Sequence, residues 1–182
     1  MPVILRPAAE VPVADLYRLF EAVYASTDGM CETLAEKFQD LADFETCLAS
    51  ITARPGGLAL VAEDAGKLLG YLTLSPRQPA KLAHTADLSM GVAPAARGHG
   101  IGRQLLTAAL ARASAPLEIV YLMVRADNAA AVRLYTEAGF VTLARLEADT
   151  RIGTHYHDGL LMRTGVGTRA ARCAPGATIQ PV

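Results

Sequence analysis

The sequence is poor in cysteine and has no excess of charge of either sign. Cys31, Cys47 and Cys173 are the cysteines among 182 residues, far apart and in no metal-ligand spacing. This number and spacing argue against a disulfide framework, predict no metal site and favour a reducing compartment. With 17 basic and 18 acidic side chains the formal net charge is −1, which argues against a general binder of nucleic acid or anionic membranes.

Long apolar segments are also missing from the chain. No apolar run approaches the length of a membrane-spanning helix. Residues 1–7 lack the charged start and long apolar region of a signal peptide. We therefore expect a cytoplasmic protein without nucleic-acid or membrane partners.

The composition is that of a folded globular protein, with 52% hydrophobic and 19% charged residues. A length of 182 residues suits one domain with its own core. We predict this domain over residues 1–164. Residues 165–182 hold glycines, prolines and small polar residues with little periodicity, which predicts a mobile tail.

Hydrophobic periodicity predicts a chain of mixed strands and helices. Thr33 and Glu36 form a capping-box pattern that opens the second helix, and Asp127 and Asn128 precede the last one. The predicted strands are 3–6, 58–63, 68–75, 85–92, 117–124, 140–147 and 156–163; the predicted helices are 13–25, 33–50, one that follows Gly102 and ends before Pro116, and one from 128 to 138. This order predicts one mixed sheet with helices on its faces.

A glycine-rich turn between a predicted strand and a predicted helix is the most informative segment. Gly98, Gly100 and Gly102 let an anion approach backbone N–H groups that have no partner within the helix, where the helix dipole favours negative charge. Arg97 and Arg103 add two cations that suit phosphate oxygens. The segment predicts a diphosphate cradle; the alternative is an ordinary turn. It differs from the Walker loop, because Arg follows Gly102, and from the dinucleotide fingerprint, because Arg103 replaces its third glycine.

A second group of residues shares one face of the last predicted helix. Asn128, Ala131 and Tyr135 are three and four residues apart. Their amide, small side chain and phenol could bind an extended ligand that contains amides. Taken alone, Tyr135 is better explained as a half-buried core aromatic.

Together these segments resemble the GNAT superfamily of acetyl-coenzyme A-dependent N-acetyltransferases. The phosphate-loop pattern Arg/Gln-x-x-Gly-x-Gly/Ala and the later pattern Asn-x-x-Ala-x-x-x-Tyr-x-x-x-Gly-Phe are present as Arg97, Gly100, Gly102 and as Asn128, Ala131, Tyr135, Gly139, Phe140. The resemblance covers roughly residues 3–163. It implies an α/β fold with a central mixed, mostly antiparallel sheet, helices on both faces and a splayed parallel pair formed by strands 85–92 and 117–124.

The resemblance implies acetyl-coenzyme A as the co-substrate and an amine as the acceptor. The pantetheine arm would pair with the backbone of the strand before the loop, and the diphosphate would lie on backbone N–H groups. His99 is expected to be a solvated loop residue rather than a catalyst. The implied cofactor-binding residues are Met90, Gly91, Val92, Arg97, Gly98, His99, Gly100, Ile101, Gly102, Arg103, Asn128 and Ala131.

The resemblance also implies catalytic roles. Tyr135 matches the position that in many members donates a proton to the departing thiolate. An amine must lose its proton before it attacks, since its pKa lies between about 8 and 10.4. Asp87 is the first candidate for the base and Glu63 the second, with a water wire as a further route. The alternative for Asp87 is an acid that caps or solvates a strand edge.

Other polar residues are less informative. The acceptor is expected to be set by the early helices and the loops 76–84 and 148–157. His155, Tyr156 and His157 are placed in that second loop, where they could bind substrate or form a polar surface. Glu32, Glu36 and Asp43 are expected on a solvated helix face.

The predicted function is transfer of an acetyl group from acetyl-coenzyme A to a primary amine by direct attack in a ternary complex. Homodimers are common among the members of this superfamily. Two alternatives stand beside this function: a catalytically silent acyl-coenzyme A sensor of the same fold, and an unrelated phosphate-binding fold.

Overall fold

The predicted mixed sheet with helices on both faces is confirmed in a computed structural model, which describes residues 3–167 and 169. The strands are β1 (Ile4–Pro7), β2 (Leu58–Asp64), β3 (Lys67–Pro76), β4 (Thr85–Val92), β5 (Ile119–Arg125), β6 (Val141–Ile152) and β7 (His155–Gly165). The α-helices are α1 (Val13–Tyr24), α2 (Leu34–Lys37), α3 (Leu41–Thr52), α4 (Ile101–Arg112) and α5 (Ala129–Glu137).

The order of the strands across the sheet is β1-β2-β3-β4-β5-β7-β6. All neighbours are antiparallel except β4 and β5. The parallel pairing of β4 with β5 joins residues 85–87 to residues 119–121 and then ends. Beyond Asp87 and Tyr121 the two strands therefore separate, as the predicted splay requires.

Glycines on β4 and α4 show how helices cover the two faces of the sheet. A Cβ at Gly91 would lie 2.6 Å from Val23 Cγ1 of α1, and a Cβ at Gly102 of α4 would meet the Met90 side chain at 3.2 Å. Neighbouring residues on a strand point to opposite faces. Because Met90 and Gly91 are neighbours, α1 and α4 pack on opposite faces of β4.

An aromatic cluster fills the core between α1, α3 and the sheet. The ring of Phe20 stacks on Tyr71 with centroids 3.6 Å apart, and it meets Phe44 edge-on at 4.9 Å. Phe44 and Tyr71 are each 1% exposed. Burial of rings this large contributes much of the apolar stabilisation of the domain.

The single helix predicted over 33–50 is wrong, because two shorter helices occupy this segment. The capping box of Thr33 and Glu36 is present and begins α2. Phe38 then takes an extended backbone conformation, with φ −134°. Asp40 caps α3, since its side chain accepts a hydrogen bond from the backbone N–H of Asp43 at 2.8 Å.

The loop predicted over 148–157 is also wrong, because β6 and β7 form a long hairpin that continues to Ile152 and His155. Residues 147–149 have no partner in the register between Leu146 and Thr150, and they are exposed.

Part of the predicted tail belongs to the domain, because β7 includes Gly165 and Val166 is 3% exposed. Residue 168 and residues 170–182 of the tail, including Cys173, lie outside the described residues. No helix among the described residues is long and apolar enough to span a membrane.

Candidate functional site

A cleft of about 750 Å³ opens where β4 and β5 separate. Its walls come from both strands, from the glycine-rich turn before α4, from α5 and from the segment between α1 and α2. Except for His99, the predicted cofactor-binding residues line this cleft, and so do Tyr135 and Asp87. The structure therefore brings most of the predicted site into one connected space.

The backbone of β4 is directed into the cleft at alternate residues. Ala93 directly follows β4, and its N–H donates to the carbonyl of Leu69 on β3. The backbone groups of Ala93 therefore face β3. By alternation, the N–H and C=O groups of Met90 and Val92 point to the open side, whereas those of Gly91 point to β3. Gly91 lacks a side chain because Val23 and Tyr71 occupy the space a Cβ would need.

The turn before α4 presents free backbone donors. Gly98 and Gly100 have φ of 78° and 77°, and a Cβ at either position would meet nothing within 4 Å. The N–H groups of residues 98–103 donate to no backbone carbonyl of the described residues. These N–H groups lie at the positive end of the α4 dipole, where they suit a multiply charged anion.

The two arginines of this segment are engaged by protein oxygens. Arg97 donates from Nε to the Val92 carbonyl at 3.2 Å and from Nη2 to the Ser26 hydroxyl at 2.5 Å. Arg103 pairs with Glu137 of α5. His99 lies outside the cleft lining, and its Nδ1 is 2.8 Å from the Arg97 carbonyl oxygen. The free donors of the predicted cradle are thus its backbone N–H groups and the remaining donors of Arg103, whose side chain is 65% exposed.

The face of α5 carries the predicted amide, small residue and phenol. Asn128 caps this helix, its side-chain oxygen accepting from the Ala131 N–H at 3.2 Å. Tyr135 is 8% exposed, lines the cleft and packs against Phe140 with ring centroids 5.7 Å apart. Burial raises the pKa of Tyr135 to about 12, so its phenol keeps its proton at neutral pH.

The two predicted bases are both paired with arginines. Arg77 donates from Nε and Nη2 to the two carboxylate oxygens of Asp87, at 2.9 and 2.6 Å. Glu63 accepts from Arg6 at 3.0 Å and lies outside the cleft lining. The geometry of Asp87 favours the alternative of a structural strand acid, because both oxygens are already engaged.

Glu32 is exposed, as predicted, but it precedes α2 instead of lying on a helix face, and it lines the cleft with Lys37 as an ion pair beside Tyr24. Glu36 is exposed, Asp43 is half-buried, and both serve as helix-capping partners. The position of Glu32 depends on the path of the segment between α1 and α2, and no local sequence pattern specifies that path.

Residues 26–28, here called the strap, cross the mouth of the cleft. Arg97, which follows β4, holds the strap at Ser26, and Arg125, the last residue of β5, pairs with Asp28 at 3.1 Å. Arg125 also pairs with Asp127 at 2.5 Å, and this hydrogen bond lowers the pKa of Asp127 to about 2. The strap is therefore fixed on both sides of the splayed strands.

The predicted substrate contacts of the last hairpin are not found on the cleft wall. His157 Nδ1 lies 2.9 Å from Asp127 Oδ2, and a hydrogen bond there supports the strap network. His155 and Tyr156 are exposed and do not line the cleft. Among the described residues no group of three His, Cys, Asp or Glu side chains is arranged to hold a metal ion.

A mixed sheet split between two parallel strands, beside a glycine-rich turn that opens a helix, defines an α/β protein with an open cleft between those strands. The chain belongs to the acetyltransferase (GNAT) family, whose model matches residues 14–140. The superfamily resemblance of the sequence is therefore confirmed.

Individual relatives match parts of this chain. It is 36% identical to a mycothiol acetyltransferase of Paenarthrobacter aurescens (strain TC1) over 115 residues, 62% of this chain and 35% of that protein. It is 39% identical to the N-alpha-acetyltransferase RimI of Mycobacterium tuberculosis (strain ATCC 25618 / H37Rv) over 93 residues, 48% of this chain and 54% of that protein. The matched segment thus spans about a third of the first relative's length and about half of the second's.

The fold is shared with a GNAT-family acetyltransferase from Streptococcus pneumoniae. Its crystal structure superposes with a TM-score of 0.84 at 26% identity, over 91% of this chain and all of that chain. The whole domain architecture, rather than the phosphate loop alone, is therefore common to both proteins.

Proposed function

We propose that this protein transfers an acetyl group from acetyl-coenzyme A to a primary amine in a ternary complex. The observation that carries the proposal is the cleft between β4 and β5, which joins the free N–H groups of residues 98–103 to the buried phenol of Tyr135. Membership of the GNAT family and the acetyltransferase names of its relatives support the same activity.

The chain fits coenzyme A at three points. Residues 98–103 would hold the diphosphate through backbone N–H groups, with open space above Gly98 and Gly100. The N–H and C=O groups of Met90 would pair with the pantetheine amides. The Asn128 side-chain oxygen caps α5, which leaves its NH₂ group free to donate. When bound, the co-substrate supplies a thioester whose carbonyl carbon accepts an amine.

Tyr135 is proposed as the general acid. With a pKa raised to about 12 by burial, Tyr135 holds its proton until a thiolate develops beside it. A free thiol has a pKa near 8.5, so transfer from the phenol requires a site from which water is excluded. The buried position of Tyr135, at 8% exposure, meets this requirement.

Two further groups of β4 have proposed roles. The Val92 carbonyl is engaged by Arg97, but its N–H points into the cleft and would donate to the oxyanion of the tetrahedral intermediate. Asp87 is proposed to position Arg77, whose guanidinium lies 4.6 Å from the Tyr121 ring centroid. The proton of the attacking amine would then leave through a water wire to solvent, while the leaving thiolate would take the proton of Tyr135. Holding amine and thioester together supplies most of the rate.

The proposal is tested by incubating the purified protein with acetyl-coenzyme A and a panel of primary amines. Release of free thiol is followed together with mass spectrometry of the amine. We expect thiol release that depends on the amine and yields its N-acetyl derivative. Tight coenzyme A binding without turnover of any amine would instead indicate a silent acyl-coenzyme A sensor.

A further inference from the structure

The part of the cleft away from the glycine-rich turn, here called the acceptor half, contains two ion pairs. Arg77 pairs with Asp87, and Lys37 pairs with Glu32. Two hydrogen bonds to Asp87 and contact with a tyrosine ring fix the orientation of Arg77, although Nη1 has no hydrogen bond with any described residue. Arg77 is therefore a fixed part of the wall.

Lys37 is held by a single side-chain partner. Its ammonium has three N–H donors, and Glu32 is its one hydrogen-bond partner among the described residues. Two donors remain. The Lys37 side chain is 29% exposed, so these donors lie in a partly dry part of the cleft, where a charge-assisted hydrogen bond is stronger than in bulk water.

The Glu32–Lys37 pair is not needed to build the helix beside it. Helix α2 is capped by Thr33 and Glu36, which exchange hydrogen bonds without either residue of the pair. The Glu32 side chain is 43% exposed, and Oε2 has no hydrogen bond with any described residue. Both charges of the pair therefore keep bonding capacity that faces the cleft.

We propose that the Glu32–Lys37 pair binds the charged groups of a zwitterionic acceptor, an amine that also carries a carboxylate, as in an amino acid. Its ammonium would lie at Glu32 and its carboxylate at Lys37, in a head-to-tail arrangement that leaves the group of four charges neutral. A purely cationic amine would gain the first contact but would face the uncompensated charge of Lys37. This inference rests on the proposed acetyltransferase function.

The experiment compares each amino acid with its carboxamide, which has the same shape but lacks the negative charge. kcat/KM is measured for both with wild type, Lys37→Met, Lys37→Arg and the control Lys67→Met, which alters an exposed lysine at the start of β3. Circular dichroism and the Kd of coenzyme A are recorded for each variant. One lost charge-assisted hydrogen bond corresponds to about a 10- to 100-fold change.

Wild type and Lys67→Met are expected to prefer the acid by about 10- to 100-fold, Lys37→Met to lose this preference and Lys37→Arg to keep most of it. Equal use of acid and amide by wild type would overturn the inference while leaving acetyl transfer intact. An equal fall in kcat/KM for the amino acid and for its carboxamide in Lys37→Met would also overturn the inference. Failure of every amine, with coenzyme A still bound, would instead refute the proposed function.

Discussion

The Arg97 guanidinium donates to the hydroxyl of Ser26 at 2.5 Å, a contact between residues 71 positions apart in the sequence. Arg97 belongs to the phosphate-loop pattern, and Ser26 begins the strap. The same guanidinium contacts the Val92 carbonyl at 3.2 Å. One side chain thus links the backbone edge of β4 to the segment that leads to the Glu32–Lys37 pair.

Arg97→Met is expected to raise the KM of the amine several-fold while changing the Kd of coenzyme A little. The reason is that Arg97 holds the strap, whereas backbone N–H groups are proposed to hold the diphosphate. Ser26→Ala removes the partner of the contact and should reproduce the effect. Kinetics and calorimetry test this; a large loss of coenzyme A affinity in Arg97→Met alone would make Arg97 a phosphate ligand.

Tyr135→Phe is expected to lower kcat by about 10²- to 10⁴-fold with little change in coenzyme A affinity, because only the proposed acidic proton is removed. Since burial raises the pKa of Tyr135 to about 12, its protonated form persists through the neutral range. Steady-state kinetics on both proteins provide the measurement. If Tyr135→Phe had the same kcat as wild type, Tyr135 would not be the general acid.

Asp87→Asn is expected to reduce kcat less than tenfold and to leave the pH dependence of kcat/KM unmoved. Its carboxylate binds Arg77 through both oxygens, so we expect a change in wall geometry rather than the loss of a base. A pH profile of each enzyme distinguishes the two roles. Loss of the acidic limb of the profile in the variant would restore Asp87 as the base.

Gly91→Ala is expected to destabilise the domain by about 1–3 kcal/mol, the cost typical of overpacking a core. Its Cβ would lie 2.6 Å from Val23 Cγ1 and 2.7 Å from Tyr71 Cε1. Denaturant unfolding measures the change, and Ser89→Ala on the same face of β4 serves as the control. Equal stability of Gly91→Ala and wild type would mean that α1 is not packed tightly on this strand.

The lowered pKa of Asp127 predicts that the folded protein loses stability over a specific acidic pH range. Its pKa is lowered from 3.8 to about 2 by Arg125, with a smaller contribution from His157, so the folded state binds its proton less readily than the unfolded state. The stabilisation is therefore present above pH 3.8 and is lost as the pH falls towards 2. Unfolding followed between these values should show a shallower pH dependence for Asp127→Asn than for wild type.

Local patterns predicted the strands and most helices and the glycine-rich turn, because each depends on short-range periodicity or on a contiguous motif, whereas the splayed pair was implied by the family resemblance. The capping pattern at Thr33 was correct, but the second cap at Asp40 divides the expected helix. The strap and the Glu32–Lys37 pair depend on contacts such as Arg97–Ser26 and Arg125–Asp28. Contacts between residues so far apart in the sequence leave no local pattern.

The central claim is that the backbone N–H groups of residues 98–103 hold the diphosphate of coenzyme A. Gly100 and Gly66 form a matched pair, because φ is 77° and 80° and neither Cβ position has a neighbour within 4 Å. Gly66 lies in the β2–β3 turn, away from the cleft. Gly66→Val therefore controls for backbone strain.

Calorimetric titration with coenzyme A is the most direct measurement. Wild type and Gly66→Val are predicted to bind it with similar Kd, and Gly100→Val to lose most of that affinity. If wild type gives no binding heat with coenzyme A, or if Gly100→Val binds as tightly as Gly66→Val, the backbone N–H groups of residues 98–103 do not hold the diphosphate.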